Sequence, residues 1–136
     1  MSRLLAIALV AACGGSGADP LAGGTVTGSF DDGTGPVTFD DDCEFSDSGG
    51  LLRVTSSGAQ TGVEVTWDPS IVDQPATYTT SGIVPDLTIS VRVAGTLRGA
   101  EGTVTFGVLD NAAHVAGSLE LTAGRITGTA QFDCTR

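Results

Sequence analysis

Seven carboxylates fall within residues 31–47: Asp31, Asp32, Asp40, Asp41, Asp42, Glu44 and Asp47. Oxygen ligands at that density can hold calcium, which takes roughly six to eight hard oxygens in flexible geometry. Asp31, Asp32, Asp40, Asp42 and Glu44 are the candidate ligands, and calcium is the only cofactor the sequence suggests. The spacing is not that of an EF-hand loop, because Phe45 stands where a glycine must turn. The other reading of these residues is a set of solvated loop charges that repel one another. Two of the carboxylates could instead serve as acid and base in glycoside hydrolysis, which needs them about 5 to 9 Å apart across a sugar cleft. One Trp and one Tyr give little aromatic platform for a sugar, and no catalytic residue is assigned.

Ser-His-Asp chemistry would have to run through His114, the one histidine. It follows the turn signal at Asp110-Asn111, and nothing ties it to an activated serine. His114 therefore reads as a surface side chain at a hairpin end. The six basic residues are Arg3, Arg53, Arg92, Arg98, Arg125 and Arg136. The absence of lysine excludes amine nucleophiles and lysine phosphate clamps. A net charge of -10 leaves no basic surface to neutralise a nucleic-acid backbone. No glycine-rich stretch joins a strand to a helix, so the glycines read as turns and not as phosphate cradles.

The N-terminus carries an address. Arg3 is followed by an uninterrupted apolar run from Leu4 to Val10, two alanines and Cys13. This is the anatomy of a secretory signal, and the run is too short to span a bilayer. Val10-Ala11-Ala12-Cys13 resembles the lipobox of bacterial lipoproteins. The resemblance implies cleavage after residue 12, a lipid on Cys13, a flexible tether over residues 13–23 and a folded domain over residues 24–136. Gly14 directly after the cysteine, where an Asp would favour inner-membrane retention, implies by the same resemblance the outer membrane of the cell envelope. The composition Gly14-Gly15-Ser16-Gly17 is that of such a tether. Once Cys13 is assigned to lipid, Cys43 and Cys134 remain as an even pair in a compartment that permits disulfides, and a Cys43–Cys134 bridge is expected. One histidine and a bridged pair cannot supply the nitrogen and sulfur ligands of a zinc site.

From Gly24 onward, apolar residues recur at every second position, the period of strands with one face buried. Leu87, Ile89, Val91 and Val93 form one such set; Val104, Phe106 and Val108 form another. Residues 115–121 and 126–134 read as a hairpin around Ala123-Gly124, with Cys134 in the buried phase. Further strands are expected over residues 25–30, 51–56, 63–67 and 76–80, with turn chemistry between them, including one over residues 99–102. Val37, Phe39, Cys43 and Phe45 share a phase if a bulge lifts Asp41 out. Gly117 and Gly128 face inward and would admit a backbone or a large ring, with Trp67 the candidate. The expected fold is all-β: an antiparallel β-sandwich of about eight to nine short strands, with a closed up-and-down β-barrel as the alternative.

The functional expectation is a membrane-anchored, non-catalytic binding or structural surface module, its ligand an unidentified protein or polysaccharide. The candidate loops are residues 31–36, 40–50 and 68–74, since small β-domains act through loops on a rigid scaffold. Calcium or carbohydrate binding is the alternative, and a small glycoside hydrolase ranks behind both. The mature domain also resembles other small β-rich secreted lipoproteins in composition and pattern, which implies no residue-level activity.

Overall fold

A computed structural model describes residues 23–80 and 86–136. The expected lipid-attachment residue Cys13, the signal segment and most of the tether lie outside them. The described chain forms nine antiparallel strands: β1 (Gly23–Asp31), β2 (Pro36–Ser48), β3 (Leu51–Ser56), β4 (Gly62–Trp67), β5 (Thr77–Thr79), β6 (Leu87–Val93), β7 (Thr96–Asp110), β8 (His114–Ala123) and β9 (Thr127–Thr135). Consecutive strands pair in order, apart from the short β5. β1 also pairs with β9 over its whole length, from Gly23↔Thr135 to Asp31↔Thr127. That last pairing closes the ring, so the fold is an eight-stranded up-and-down barrel with β5 added outside the ring on β7.

The barrel replaces the expected sandwich, and β2 and β7 show why the alternation alone could not separate the two. β2 pairs with β1 through residues 36–42 and with β3 through residues 43–48. β7 pairs with β6 through residues 96–100 and with β8 through residues 101–110. Each of these long strands leaves one arc of sheet and joins the other, which turns two facing sheets into one closed surface. Closure removes the ring's open edges, which would otherwise invite pairing with other chains.

The same two strands correct three expectations. Residues 99–102 are not a turn: β7 runs through them, and a register shift lies between Glu101 and Gly102. The bend is placed there because a Cβ on Gly102 would lie 2.0 Å from the Glu120 carbonyl oxygen, so only glycine lets β7 cross so close to β8. Gly102→Ala is expected to destabilise by about 1 to 3 kcal/mol, measured by urea unfolding. The hairpin turn instead falls at Ala94-Gly95, both at positive φ (51° and 83°), between the paired Val93 and Thr96. Both φ signs are those of a type I′ turn, in which a residue with a Cβ is strained. Ala94→Asn is expected to raise stability by about 0.5 to 1 kcal/mol, a small upward shift in melting temperature.

β2 carries no register shift between Pro36 and Ser48, so no bulge lifts Asp41 out. Asp41 stays in the phase of Phe39 and Cys43 and is half-buried. Its Oδ2 lies where a Cβ on Gly58 would come within 2.5 Å, and it has no hydrogen-bond partner among the described residues. Residues 40–50 are thus mostly strand and not loop.

Side chains fill the interior, as expected of an eight-stranded barrel. Phe45, Trp67, Phe106 and Phe132 form a chain of ring contacts with centroids 5.9, 5.2 and 5.7 Å apart, and Tyr78 meets Phe106 from the side. Phe30 and Phe39 stack at 5.2 Å. The inward glycines admit different neighbours from the expected one. A Cβ on Gly128 would meet the Ser29 oxygen and the Phe30 ring, and one on Gly117 would meet the backbone of Thr105 and Phe106, so Trp67 is not the ring they accommodate. The predicted bridge is present: Cys43 and Cys134, both buried, are joined by a disulfide.

Candidate functional site

The antiparallel order assigns each loop to an end of the barrel. The β1–β2, β3–β4, β6–β7 and β8–β9 turns share one end, here called upper. Gly23, the β2–β3 turn, the residues that directly follow β4, the β7–β8 turn and Arg136 share the lower end. Hydrogen bonds agree with this division: Gly95 N–H donates to Gln60 O at the upper end, and Arg136 N–H to Ala113 O at the lower.

The lower end is sealed. Trp67 Nε1 donates to Asn111 Oδ1 at 3.1 Å, and Asn111 Nδ2 donates to Val72 O at 3.2 Å. Asp68 O accepts from the amides of Ile71 and Val72, which tucks the fully buried Val72 beneath the core. Arg136 pairs with Asp47 and lies 5.3 Å from the Phe45 ring centroid. His114 starts β8 at this end, as expected, and its Nε2 lies 2.7 Å from Asp133 Oδ1.

A cleft lies at the upper end. Where β7 parts from β6 and takes up β8, a cleft of about 210 Å³ is lined by Arg98, Gly99, Ala100, Glu101, Gly124, Arg125 and Ile126. Three local features build it. The register shift at Glu101/Gly102 bends β7 away, Gly124 at φ 92° turns the chain between β8 and β9, and buried Ile126 forms an apolar floor. Arg98 and Arg125 are both exposed, and among the described residues neither makes an ion pair or a hydrogen bond. The other described arginines are engaged: Arg53 lies 3.9 Å from Glu64, Arg92 donates to Gly58 O, and Arg136 pairs with Asp47. Arg98 and Arg125 thus bring two guanidiniums without an ion pair to one cleft, with Glu101 in its lining and the Asp32 carboxylate near Arg98.

The predicted calcium ligands are distributed differently. Asp31 Oδ1 accepts from the amides of Gly33 (2.8 Å) and Gly35 (3.2 Å), and Asp32 Oδ1 accepts from the Thr34 amide and hydroxyl. Both carboxylates shape the β1–β2 turn. Asp40, Asp42 and Glu44 alternate along β2 on its exposed face. Among the described residues, no group of three or more His, Cys, Asp or Glu side chains is placed to hold a metal.

The Thr34 hydroxyl and amide, with a smaller contribution from the Arg98 guanidinium, hold the Asp32 carboxyl below its ordinary value of 3.8. The Ser70 hydroxyl and amide do the same for Asp68. A lowered folded-state pKa contributes stability above the unfolded value, and that contribution is lost as pH falls through the folded one. Carboxyl-carbon NMR is therefore expected to show Asp32 and Asp68 titrating below 3.8, with Thr34→Val moving the Asp32 midpoint up. A midpoint unmoved by Thr34→Val would contradict the assigned cause.

A second, shallower groove of about 570 Å³ crosses the outer face of β1, β9 and β8, over Thr27, Ser29, Ser118, Glu120, Thr129 and Gln131. Its lining is hydroxyls, an amide and one carboxylate, with no cation and no aromatic ring.

No family model, curated protein or solved structure matches the chain. The upper cleft is the site that sequence reading missed. Arg98 and Arg125 stand 27 positions apart and meet only through the β7–β8 pairing. A faint signal existed: each adjoins a glycine, in Arg98-Gly99 and Gly124-Arg125.

Proposed function

We propose that this chain is a lipoprotein of the bacterial envelope, anchored through Cys13, whose barrel is a non-catalytic binding module. The observation that carries the reading is the division of labour between the two ends. The chain enters at Gly23 on the sealed lower end, and the cleft that holds Arg98 and Arg125 lies at the opposite end. An N-terminal tether would then hold the lower end toward the membrane and present the cleft away from it.

The polarity of the wall supports attachment from outside the barrel. Val26, Phe30, Val104, Leu119 and Phe132 are buried, whereas the neighbouring Thr25, Thr27, Thr105, Glu120 and Gln131 are exposed. Barrels whose outer face meets lipid have the reverse arrangement. Paired catalytic carboxylates would have to face one cleft, and the upper cleft holds one, Glu101. The bridged pair Cys43 and Cys134 leaves Cys13 as the remaining cysteine for lipid.

Intact-mass spectrometry of the protein from its native host tests the proposal. The expected species lacks residues 1–12, carries a diacylglyceryl group on Cys13 and gains the mass of two hydrogens on reduction. A chain that retains Met1 and has three free thiols would overturn it.

A further inference from the structure

The geometry points to the upper cleft as a binding site for a small monocarboxylate that carries hydroxyl or ammonium donors beside its carboxylate, in the class of uronic acids and amino acids. Four observations define the ligand. Arg98 and Arg125 offer two guanidinium forks without partners, and a planar fork matches a carboxylate through paired N–H donors. Glu101 lines the same cleft and Asp32 of the β1–β2 turn lies near Arg98, so two carboxylates stand around the two guanidiniums. A ligand with one carboxylate can take the guanidinium donors while meeting less repulsion from Glu101 and Asp32 than a polyanion would. An ionised Glu101 only accepts hydrogen bonds, so the ligand must bring a donor next to its own carboxylate.

Size supplies the third constraint. At about 210 Å³ the cleft falls below the roughly 300 to 1,000 Å³ of drug-sized sites, which suits one sugar ring or one amino acid. Ile126 and Ala100 supply the fourth, an apolar floor for the ligand's carbon skeleton beneath the charged rim. A carboxylate seated between the two arginines would lie beside the β1–β2 turn, whose Asp32 is close enough to Arg98 to have its acidity affected by it.

The inference takes from the proposed function only that the domain acts by binding. A Met1-intact mass would remove the anchor and leave the cleft chemistry untouched, and a failed titration would leave the anchor in place.

The test is a two-dimensional amide NMR titration of the oxidised protein with sodium D-glucuronate, L-serine, D-glucose and inorganic phosphate. Glucuronate or serine is expected to shift the Gly99, Ala100, Gly124 and Arg125 amides to saturation, with the tighter of the two identifying the source. Glucose, lacking the charge, and phosphate, meeting Glu101 with a second charge, are expected to bind at least about tenfold more weakly. Arg98→Gln and Arg125→Gln are each expected to weaken binding about tenfold or more, with Arg→Lys failing to restore it because the fork is lost. Both side chains are exposed and unpaired, so the variants keep the wild-type melting temperature. The inference is overturned if neither carboxylate saturates these amides, if glucose or phosphate binds as tightly, or if the double variant R98Q/R125Q keeps wild-type affinity. Should a variant fail to fold, the four-ligand comparison on the wild type decides alone.

Discussion

Replacing Cys43 and Cys134 together by alanine is expected to lower the unfolding free energy by about 4 kcal/mol. The bridge joins residues 91 positions apart, and the chain-entropy model assigns a loop of that length about 4.6 kcal/mol at 25 °C. Native bridges in small domains generally contribute about 2 to 5 kcal/mol. Placement adds a native-state argument. Cys134 stands opposite Gly24 at the first residues of β1, and Cys43 lies on β2 just beyond its last pairing with that strand, so the bridge staples β9 to β2 across the start of β1. It reinforces the ring where first and last strands meet. The check is urea unfolding of the oxidised protein against the double-alanine variant. A loss below about 1 kcal/mol would mean that the unfolded chain is already confined without the bridge. Alanine is preferred to serine, since a hydroxyl at these buried positions would lack a partner.

Trp67→Ala is expected to cost about 3 to 5 kcal/mol, the usual range for deleting a buried indole. Trp67 is 1 % exposed and touches both Phe45 and Phe106, so its removal opens the middle of the aromatic chain. It also orphans Asn111 Oδ1 at the sealed lower end. Trp67→Phe separates the two effects. It keeps most of the packing and loses the indole N–H donor, and should cost only about 1 to 2 kcal/mol. The two variants are compared by urea unfolding, and a Phe variant as damaged as the Ala variant would assign the effect to the hydrogen bond and not to packing. Since the chain has one Trp, native fluorescence reports on this position directly: a blue-shifted, poorly quenched emission that moves red on unfolding.

The alternation of apolar residues made most strands readable. Residues 51–56 form a strand as expected, residues 87–93 form one with the expected phase, and Cys134 lies in the buried set because the period of two has no slack. What failed was punctuation. Gly99 and Gly102 read as turn residues, yet glycine also serves where two strands cross too closely for a Cβ, and the sequence does not mark which use applies. Ala94-Gly95 lacks the Asn or Asp that announces a type I′ turn, so the true hairpin was displaced by several residues. Asp41 looked too polar for an inward phase, but the half-buried corner between β1 and β3 accepts it. Closure was not legible because it rests on pairing β1 with β9, a contact between the two ends of the fold. The cleft depends on that same tertiary arrangement.

The pairing of β1 with β9 also has a kinetic side. Gly23 and Thr135 are adjacent in space and 112 positions apart in sequence, so the ring's last seam forms only after the final strand has been synthesised. Loop-closure entropy must be met before those contacts give any return, which places this fold among the slow folders of high contact order. Until β9 pairs with both, β1 and β8 each expose an unpaired edge, and both can recruit foreign strands. A nascent chain of this design therefore remains unclosed until β9 has been made, and its unpaired strands need protection up to that point.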